Sequence, residues 1–473
     1  MASFRLWLVG ISFSAASLMA LDTTTELQNA RRLIGSGHLE EAERLVRRNL
    51  RQGEETALHL TLGDILFRQG DFAGAERAYR AALSINDLCA RAWWGLGRIE
   101  LAQFHRRNAR EFLTKAFGLD PQDPDIIVSY LEFANDPHSR AVLLENVVTL
   151  TRKTDLQRAE ESLGQLELEK RLNGQRSERL ASPYRAYTIR LSTFQPAGPK
   201  TDGMLVPVTI NGGRTLRLLL DTGARGITIA AKSARQLNLE PVSESRIGGL
   251  GTSGPVTAAV TIARNVAIGD LRLQDCVVEV TRDALTGGAD GVMGMNLFEA
   301  FEIQLDGRNK MLRLNPFPEG LPSVADSAPV SAWASYDRGV MAEKSASVPA
   351  YGFRHFLLVR TTVNGKEGLF LVDTGSAVTT LARDFVPEAG AITGGASFRG
   401  AGGEVADVRR ISPVTLQIAG RTFVDRDPVA MNLEEMSRRQ GVRISGILGY
   451  PALSQSAVTF NYRDGLVDLG ARH

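Results

Sequence analysis

The sequence predicts a multidomain chain in which an N-terminal all-α helical-repeat array is followed by two all-β lobes. Three observations predict it. Small residues recur with a period near 34 positions over the first part of the chain. From about Tyr184 short alternating runs rich in Val, Ile, Leu and Thr take over, separated by Gly and Asn-Gly turns. The tripeptide Asp-Thr-Gly then occurs twice, each time directly after an apolar run.

The N-terminus comes first in order. One positive charge lies within Met1–Arg5, Leu6–Met19 is nearly all apolar or small, and Ala20 precedes a polar stretch from Asp22. That order predicts a signal peptide over residues 1–20, cleaved near Ala20, and hence a periplasmic or secreted protein. The apolar run is shorter than the roughly 20 residues a spanning helix needs. No other segment has the length and apolarity to span, so no stable membrane span is expected after cleavage.

Residues 21–180 read as helices. Gly37 and Gly70 are 33 apart, as are Ala42 and Ala75, while Gly63 to Gly97 and Ala75 to Ala109 are 34 apart. In the unit Arg91–Pro124, Trp93, Leu96, Gly97, Ala109, Ala116 and Pro121 fall at offsets that resemble a tetratricopeptide repeat. Small residues at such positions let two antiparallel helices approach closely. The resemblance implies a surface for a protein partner or substrate; a rigid spacer or a dimer contact is the competing role. Helical patterning continues through Ala141–Thr151 and Leu156–Leu172, the latter read as a cap on the array.

Composition narrows the function classes. Of 473 residues, 43% are hydrophobic and 23% charged, as in an ordinary globular protein, and 55 Lys+Arg against 53 Asp+Glu leave a formal charge of +2. Near-neutrality gives no footprint for nucleic acid. Two cysteines, Cys89 and Cys276, each in an apolar stretch, predict buried thiols and no disulfide. Six scattered His without tight Cys/His spacing predict no metal site, and no motif calls for a cofactor.

The strand-rich part divides into a first lobe over residues 184–316, a Pro-, Ala- and Ser-bearing linker over 317–349, and a second lobe over 350–473. Met204–Ile210, Asn211-Gly212-Gly213 and Leu216–Leu220 predict a hairpin; Leu357–Val363, Asn364-Gly365 and Leu369–Val372 predict its counterpart. Each hairpin runs into the tripeptide: Asp221-Thr222-Gly223-Ala224 and Asp373-Thr374-Gly375-Ser376. Turn glycines Gly269 and Gly420 follow 48 and 47 residues after the aspartates. Gly291-Val292-Met293-Gly294 and Gly446-Ile447-Leu448-Gly449 close 73 and 76 residues after them. Both copies finish alike, with Asp306-Gly307 in Phe301–Leu314 matching Asp464-Gly465 in Ala457–Leu469. Four matched landmarks predict a tandem duplication. The lobes differ in detail, with a short helix expected over Ala230–Leu237 in the first and a helical insert over Asn432–Gln440 in the second.

This layout resembles the retropepsin-like aspartic proteases of the pepsin and retropepsin clan, in their bacterial form. The resemblance implies two retropepsin-like acid-protease lobes, each supplying one catalytic carboxylate, Asp221 and Asp373. Two close carboxylates do not ionise together easily, so one holds a proton while the other activates water. It further implies that Thr222 and Thr374 join the two loops, that Gly223 and Gly375 admit a sharp turn, and that Ala224 and Ser376 are alternatives at one position, the Ser hydroxyl bonding its own Asp. Two glycine-rich stretches stand where the family places a substrate-covering flap, carrying Gly248, Gly249 and Gly251 in one and Gly400, Gly402 and Gly403 in the other. The expected activity is an aspartic endopeptidase acting on extended protein or peptide substrates. Two alternatives stay open: a silent peptide-binding scaffold using the same cleft, and an enzyme whose dyad forms only between molecules.

Overall fold

A computed structural model describes residues 15–470 apart from 54, 135, 174, 176, 196–201, 250–255, 284, 318–346, 387–391, 401–402 and 419; for 15–24 and 392–399 it describes the backbone alone. The chain divides into two compact units, Met1–Leu96 and Gly97–His473.

The first unit is helical: α1 (Ala15–Gly35), α2 (Leu39–Leu50), α3 (Thr56–Gln69), α4 (Phe72–Ile85) and the start of α5 (Ala90–Ala102). The helical-repeat reading holds here, and its small residues have a visible cause. Tyr79 is fully buried between Gly63 of α3 and Gly95 of α5, where an added Cβ would lie 2.5 and 2.4 Å from its ring. Its hydroxyl donates to Asp64 at 2.7 Å, which satisfies the one polar atom of the ring. Most of the expected signal peptide lies outside the described residues, and the point near Ala20 falls on the α1 backbone. No described helix is long and apolar enough to cross a membrane.

In the second unit the repeat continues through α6 (Arg106–Leu119), α7 (Pro124–Tyr130), α8 (Pro137–Thr151) and α9 (Leu156–Arg171). Gly97 lets α5 meet Leu113 of α6, whose Cγ an added Cβ would approach to 2.6 Å. Asp123, Asp136 and Asp155 each cap a helix by accepting from backbone N–H groups in its first turn. α9 does more than cap the array. It lies on the first β-lobe: an added Cβ at Gly164 would stand 2.8 Å from the Glu244 carbonyl, and Glu160 faces Arg246 at 3.8 Å.

The first lobe contains β1 (Arg179–Leu180), β2 (Tyr187–Arg190), β3 (Ser192–Phe194), β4 (Gly203–Ile210), β5 (Thr215–Asp221), β6 (Ile227–Ala230), α10 (Ala231–Gln236), β7 (Pro241–Ile247), β8 (Val256–Ile268), β9 (Leu271–Thr281), β10 (Gly291–Gly294), β11 (Phe301–Asp306) and β12 (Met311–Pro316). The second contains β13 (Val348–Phe353), β14 (Phe356–Val363), β15 (Lys366–Val372), β16 (Thr380–Ala382), β17 (Ile392–Gly400), β18 (Gly403–Ile411), β19 (Val414–Ile418), β20 (Arg421–Asp425), β21 (Val429–Met431), α11 (Glu434–Gln440), β22 (Gly446–Leu448), α12 (Tyr450–Leu453), β23 (Val458–Asn461) and β24 (Leu466–Asp468). Two boundaries differ from the expected ones. β1 pairs with β9, so residues 179–180 belong to the first lobe's sheet, and β13 starts at Val348 because Val348 and Pro349 pair with β24. Most of the expected linker, residues 318–346, lies outside the described residues.

Both lobes repeat one arrangement. β4 and β5 form an antiparallel hairpin, and β10 lies parallel to β5 with Gly294 opposite Asp221. β14, β15 and β22 repeat this around Asp373. Successive strand residues point to opposite faces, and Leu218, Leu219 and Leu220, like Phe370, Leu371 and Val372, are all buried, so both faces of these strands are covered. The glycines of the second element are sterically required. An added Cβ at Gly291 would meet Thr228 O at 2.2 Å, one at Gly294 would meet Ala224 O at 2.5 Å, and one at Gly449 would meet Val378 O at 2.3 Å.

The lobes are joined by a shared sheet in the order β13-β24-β23-β11-β12-β2. Its seam is β11 against β23, with Ile303 opposite Phe460. The matched chain endings of the sequence are therefore the two halves of one floor. At the β23–β24 turn, Arg463 and Asp464 form a buried ion pair at 2.8 and 2.9 Å, and Arg463 lies 3.8 Å over the Phe317 ring. The next residue, Gly465, receives Phe104 from the α5–α6 turn: an added Cβ at Gly465 would lie 2.0 Å from that ring, and one at Gly352 2.6 Å. Phe104 holds a left-handed backbone (φ 62°), unfavourable for a bulky side chain. Cys276 is buried, whereas Cys89 is only half-buried, so the expectation of two buried thiols fails at Cys89; both are free.

Candidate active site

β5 ends on Asp221 and β15 one residue before Asp373, and the two Asp-Thr-Gly loops meet within one chain. Thr222 and Thr374 are fully buried between them. Thr222 Oγ1 donates to Val372 O at 2.6 Å and accepts from Thr374 N at 3.0 Å. Thr374 Oγ1 donates to Leu220 O at 2.9 Å and accepts from Thr222 N at 3.1 Å. Each hydroxyl thus fills both of its roles across the lobes.

The clasp brings the two carboxyl groups together, close enough for each to affect the other's ionisation. An added Cβ on Gly375 would stand 2.4 Å from Asp221 Cγ, and one on Gly223 2.9 Å from Asp373 Oδ2. Neither glycine has a positive φ. The expected sharp turn is present, closed by Ala224 N–H to Asp221 O and Ser376 N–H to Asp373 O at 3.4 Å each, and the glycines have a further reason: each leaves room for the opposite carboxyl group.

The pair is asymmetric. Asp373 Oδ1 accepts from Gly375 N at 2.9 Å and Ser376 N at 3.0 Å, whereas Asp221 Oδ1 accepts from Gly223 N at 2.6 Å. Burial pushes Asp221 well above the usual carboxylate range, with the Asp373 charge adding to it. Burial raises Asp373 too, but hydrogen bonds from Asp221, Gly375 and Ser376 oppose the rise. Ser376 departs from expectation: its backbone N–H bonds Asp373 while its hydroxyl donates to Val378 O at 2.9 Å. Ala224 holds the matching place, its carbonyl against Gly294.

The flap glycines are only partly described. Gly248 and Gly249 follow the end of β7, with Arg439 of α11 beside Gly248. Gly400 pairs with Gly403 (φ 94°) where β17 turns into β18. Gly251 and Gly402 lie outside the described residues. Among the described residues no group of three or more His, Cys, Asp or Glu could hold a metal ion.

Two neighbours of the pair, His355 and Tyr462, and a carboxyl group near Tyr462, Glu299, carry no sequence motif. His355, in the β13–β14 turn, places Nε2 3.3 Å from Gly223 O. Tyr462 is buried with its ionisation suppressed by burial and by the charges of Asp221 and Glu299. Glu299 is pushed up to about 7 by burial, against the pull of Arg106 from α6.

A bilobed β-protein with one carboxylate loop per lobe, clasped by paired threonines over a shared sheet, has the architecture of the two-lobed acid proteases. The family comparison agrees: residues 206–297 and 359–452 each match the aspartyl protease family model, and 27–85 and 60–124 match the tetratricopeptide repeat. The chain thus carries two tandem segments similar to the aspartyl protease family model, behind segments similar to tetratricopeptide repeats. Among solved structures, a retropepsin-like aspartic protease from Rickettsia conorii is similar at 18% identity, covering 29% of this chain and 95% of its own, with a TM-score of 0.20. No curated protein matches the chain.

Proposed function

We propose that this protein is an aspartic endopeptidase that hydrolyses peptide bonds with a water activated between Asp221 and Asp373. The observation that carries the reading is the pair itself: two carboxyl groups brought together at Gly223 and Gly375 by a buried, cross-lobe threonine clasp. Asp373, whose Oδ1 accepts from both Gly375 N and Ser376 N, is the better anion and the base; Asp221, raised further by burial and by the Asp373 charge, holds the proton. The ionised carboxylate takes a proton from the water as its oxygen attacks the scissile carbonyl carbon. The protonated carboxyl gives its hydrogen to the carbonyl oxygen, and collapse of the resulting diol passes a proton to the leaving nitrogen. Because the two loops occupy each other within one chain, a dyad between molecules has no geometric need.

Extended peptide is the substrate class, the repeats recruit a substrate or protein partner, and the N-terminal leader directs the chain to the periplasm or outside the cell. The test is cleavage of a random-peptide library across acidic to neutral pH by wild type, Asp221→Asn and Asp373→Asn. Loss in both variants supports the intrachain dyad. Activity surviving one substitution contradicts it, and a wild type inert at every pH leaves a cleft that binds without cutting. Because both carboxyl groups are raised, the alkaline limb is expected above the ordinary Asp value of about 3.9.

A further inference from the structure

The two-lobe symmetry accounts for the threonine clasp but not for His355. This residue sits in the two-residue turn between β13 and β14, whose Phe353 and Phe356 are paired. Arg354, before it, has φ 57°, a conformation unfavourable for a side chain of that size. The turn carries the half-buried His355 ring out of its own lobe and against the loop of the other, with Nε2 3.3 Å from Gly223 O. A carbonyl oxygen only accepts, so the hydrogen is on Nε2. Burial, with the charges of Arg225 and Arg354, lowers the imidazole to about 4 and keeps it neutral above that pH.

Gly223 is where a small displacement matters. Its N–H donates to Asp221 Oδ1 at 2.6 Å, and its missing side chain leaves room for Asp373. Having no Cβ, it has more backbone freedom than any other residue and needs an outside hold. Leu205 pairs with Leu219 as Leu358 pairs with Leu371, which sets Asp202 at the place of His355, so the two lobes differ in side-chain chemistry there.

We propose that His355 is a positioning residue for Asp221: its Nε2–H holds the Gly223 carbonyl and so aims the Gly223 amide at the Asp221 carboxylate. The proposal rests on reading Asp221 and Asp373 as the catalytic pair. It makes the second lobe responsible for the geometry of the first lobe's carboxylate through a side chain that never touches substrate.

The experiment compares His355→Leu, His355→Gln and His355→Asn in the full chain. A Gln amide nitrogen reaches about as far as Nε2, whereas that of Asn stops about where Nδ1 does. Two readouts are taken: kcat and KM on a cleaved library peptide, and the carboxyl 13C titration of Asp-labelled protein. The expected result is a fall in kcat of about tenfold in the Leu and Asn variants with KM nearly unchanged, and recovery in the Gln variant. The pair's titration midpoint rises by about half a pH unit in Leu and Asn and returns in Gln, because a weakened hydrogen bond to a carboxylate favours its protonated form. Equal losses in Gln and Asn, a change confined to KM, or an unmoved titration overturn the proposal. If the Leu variant does not fold, the Gln–Asn comparison decides alone. A wild type without cleavage sinks the protease reading, while the titration still decides the role of His355.

Discussion

Thr222 and Thr374 each give a hydrogen bond to the strand that carries the other's aspartate and take one from the other's backbone, at 2.6–3.1 Å. Four hydrogen bonds thus hold two loops that lie 152 residues apart in sequence. Neither lobe supplies this hold alone.

Thr222→Val keeps the shape and removes the hydroxyl. Val372 O loses a donor and Thr374 N an acceptor in a buried place, at about 1–3 kcal/mol for each stranded group. Urea unfolding is expected to show a loss of about 2–5 kcal/mol, with much smaller loss for Thr222→Ser. Equal loss in the two variants would mean that packing, and not the clasp, stabilises the loops.

Gly375→Ala puts a methyl group where Asp221 Cγ is 2.4 Å away. The carboxyl group must move by the better part of an ångström, a displacement that costs on the order of a hundredfold in rate. Gly223→Ala, with 2.9 Å to Asp373 Oδ2, is expected to cost less. Steady-state kinetics on one peptide checks the order, and the reverse order contradicts the steric account.

Glu299 carries a pH-dependent strain. Its folded value, about 7, lies above the ordinary Glu value of 4.5, so its contribution is fully present below pH 4.5 and is lost as pH rises through 7. Glu299→Gln is therefore expected to raise the unfolding midpoint at pH 8 relative to wild type and to leave it nearly unchanged at pH 4. Thermal unfolding at the two values tests this, and a gain at pH 4 alone reverses the sign.

Phe104 offers a test of backbone strain. Its side chain fills the hollow over Gly465 and Gly352, so both Phe104→Ala and Phe104→Gly lose packing. The left-handed backbone costs a non-glycine residue roughly 1–2 kcal/mol. Phe104→Gly is thus expected to be more stable than Phe104→Ala by about 1 kcal/mol, against the usual order of these residues. Denaturant titration of the pair measures the difference directly.

Much of this protein was readable from local pattern. The 33- and 34-residue spacings of Gly and Ala report helix pairs because close approach needs small side chains, as Gly63 and Gly95 around Tyr79 show. The hairpins that end on Asp221 and Asp373 were readable because strand alternation and Asn-Gly turns are short-range signals. His355, Glu299 and Phe104 left no such trace. Each acts on a residue distant in sequence: His355 on Gly223, Arg106 on Glu299, Phe104 on Gly465. The Ser376 hydroxyl was misread for a related reason, since its choice between Asp373 and Val378 O depends on the loop's path.

By itself the sequence determined the duplication, the two aspartates and the elements that carry them, because period, turn chemistry and strand pattern are written along the chain. Only the tertiary structure decided that Asp221 faces Asp373 in the same molecule, that β11 and β23 form one floor, and that α9 lies on β7. These are pairings of surfaces, fixed by which apolar faces and backbone groups satisfy one another once the chain has folded.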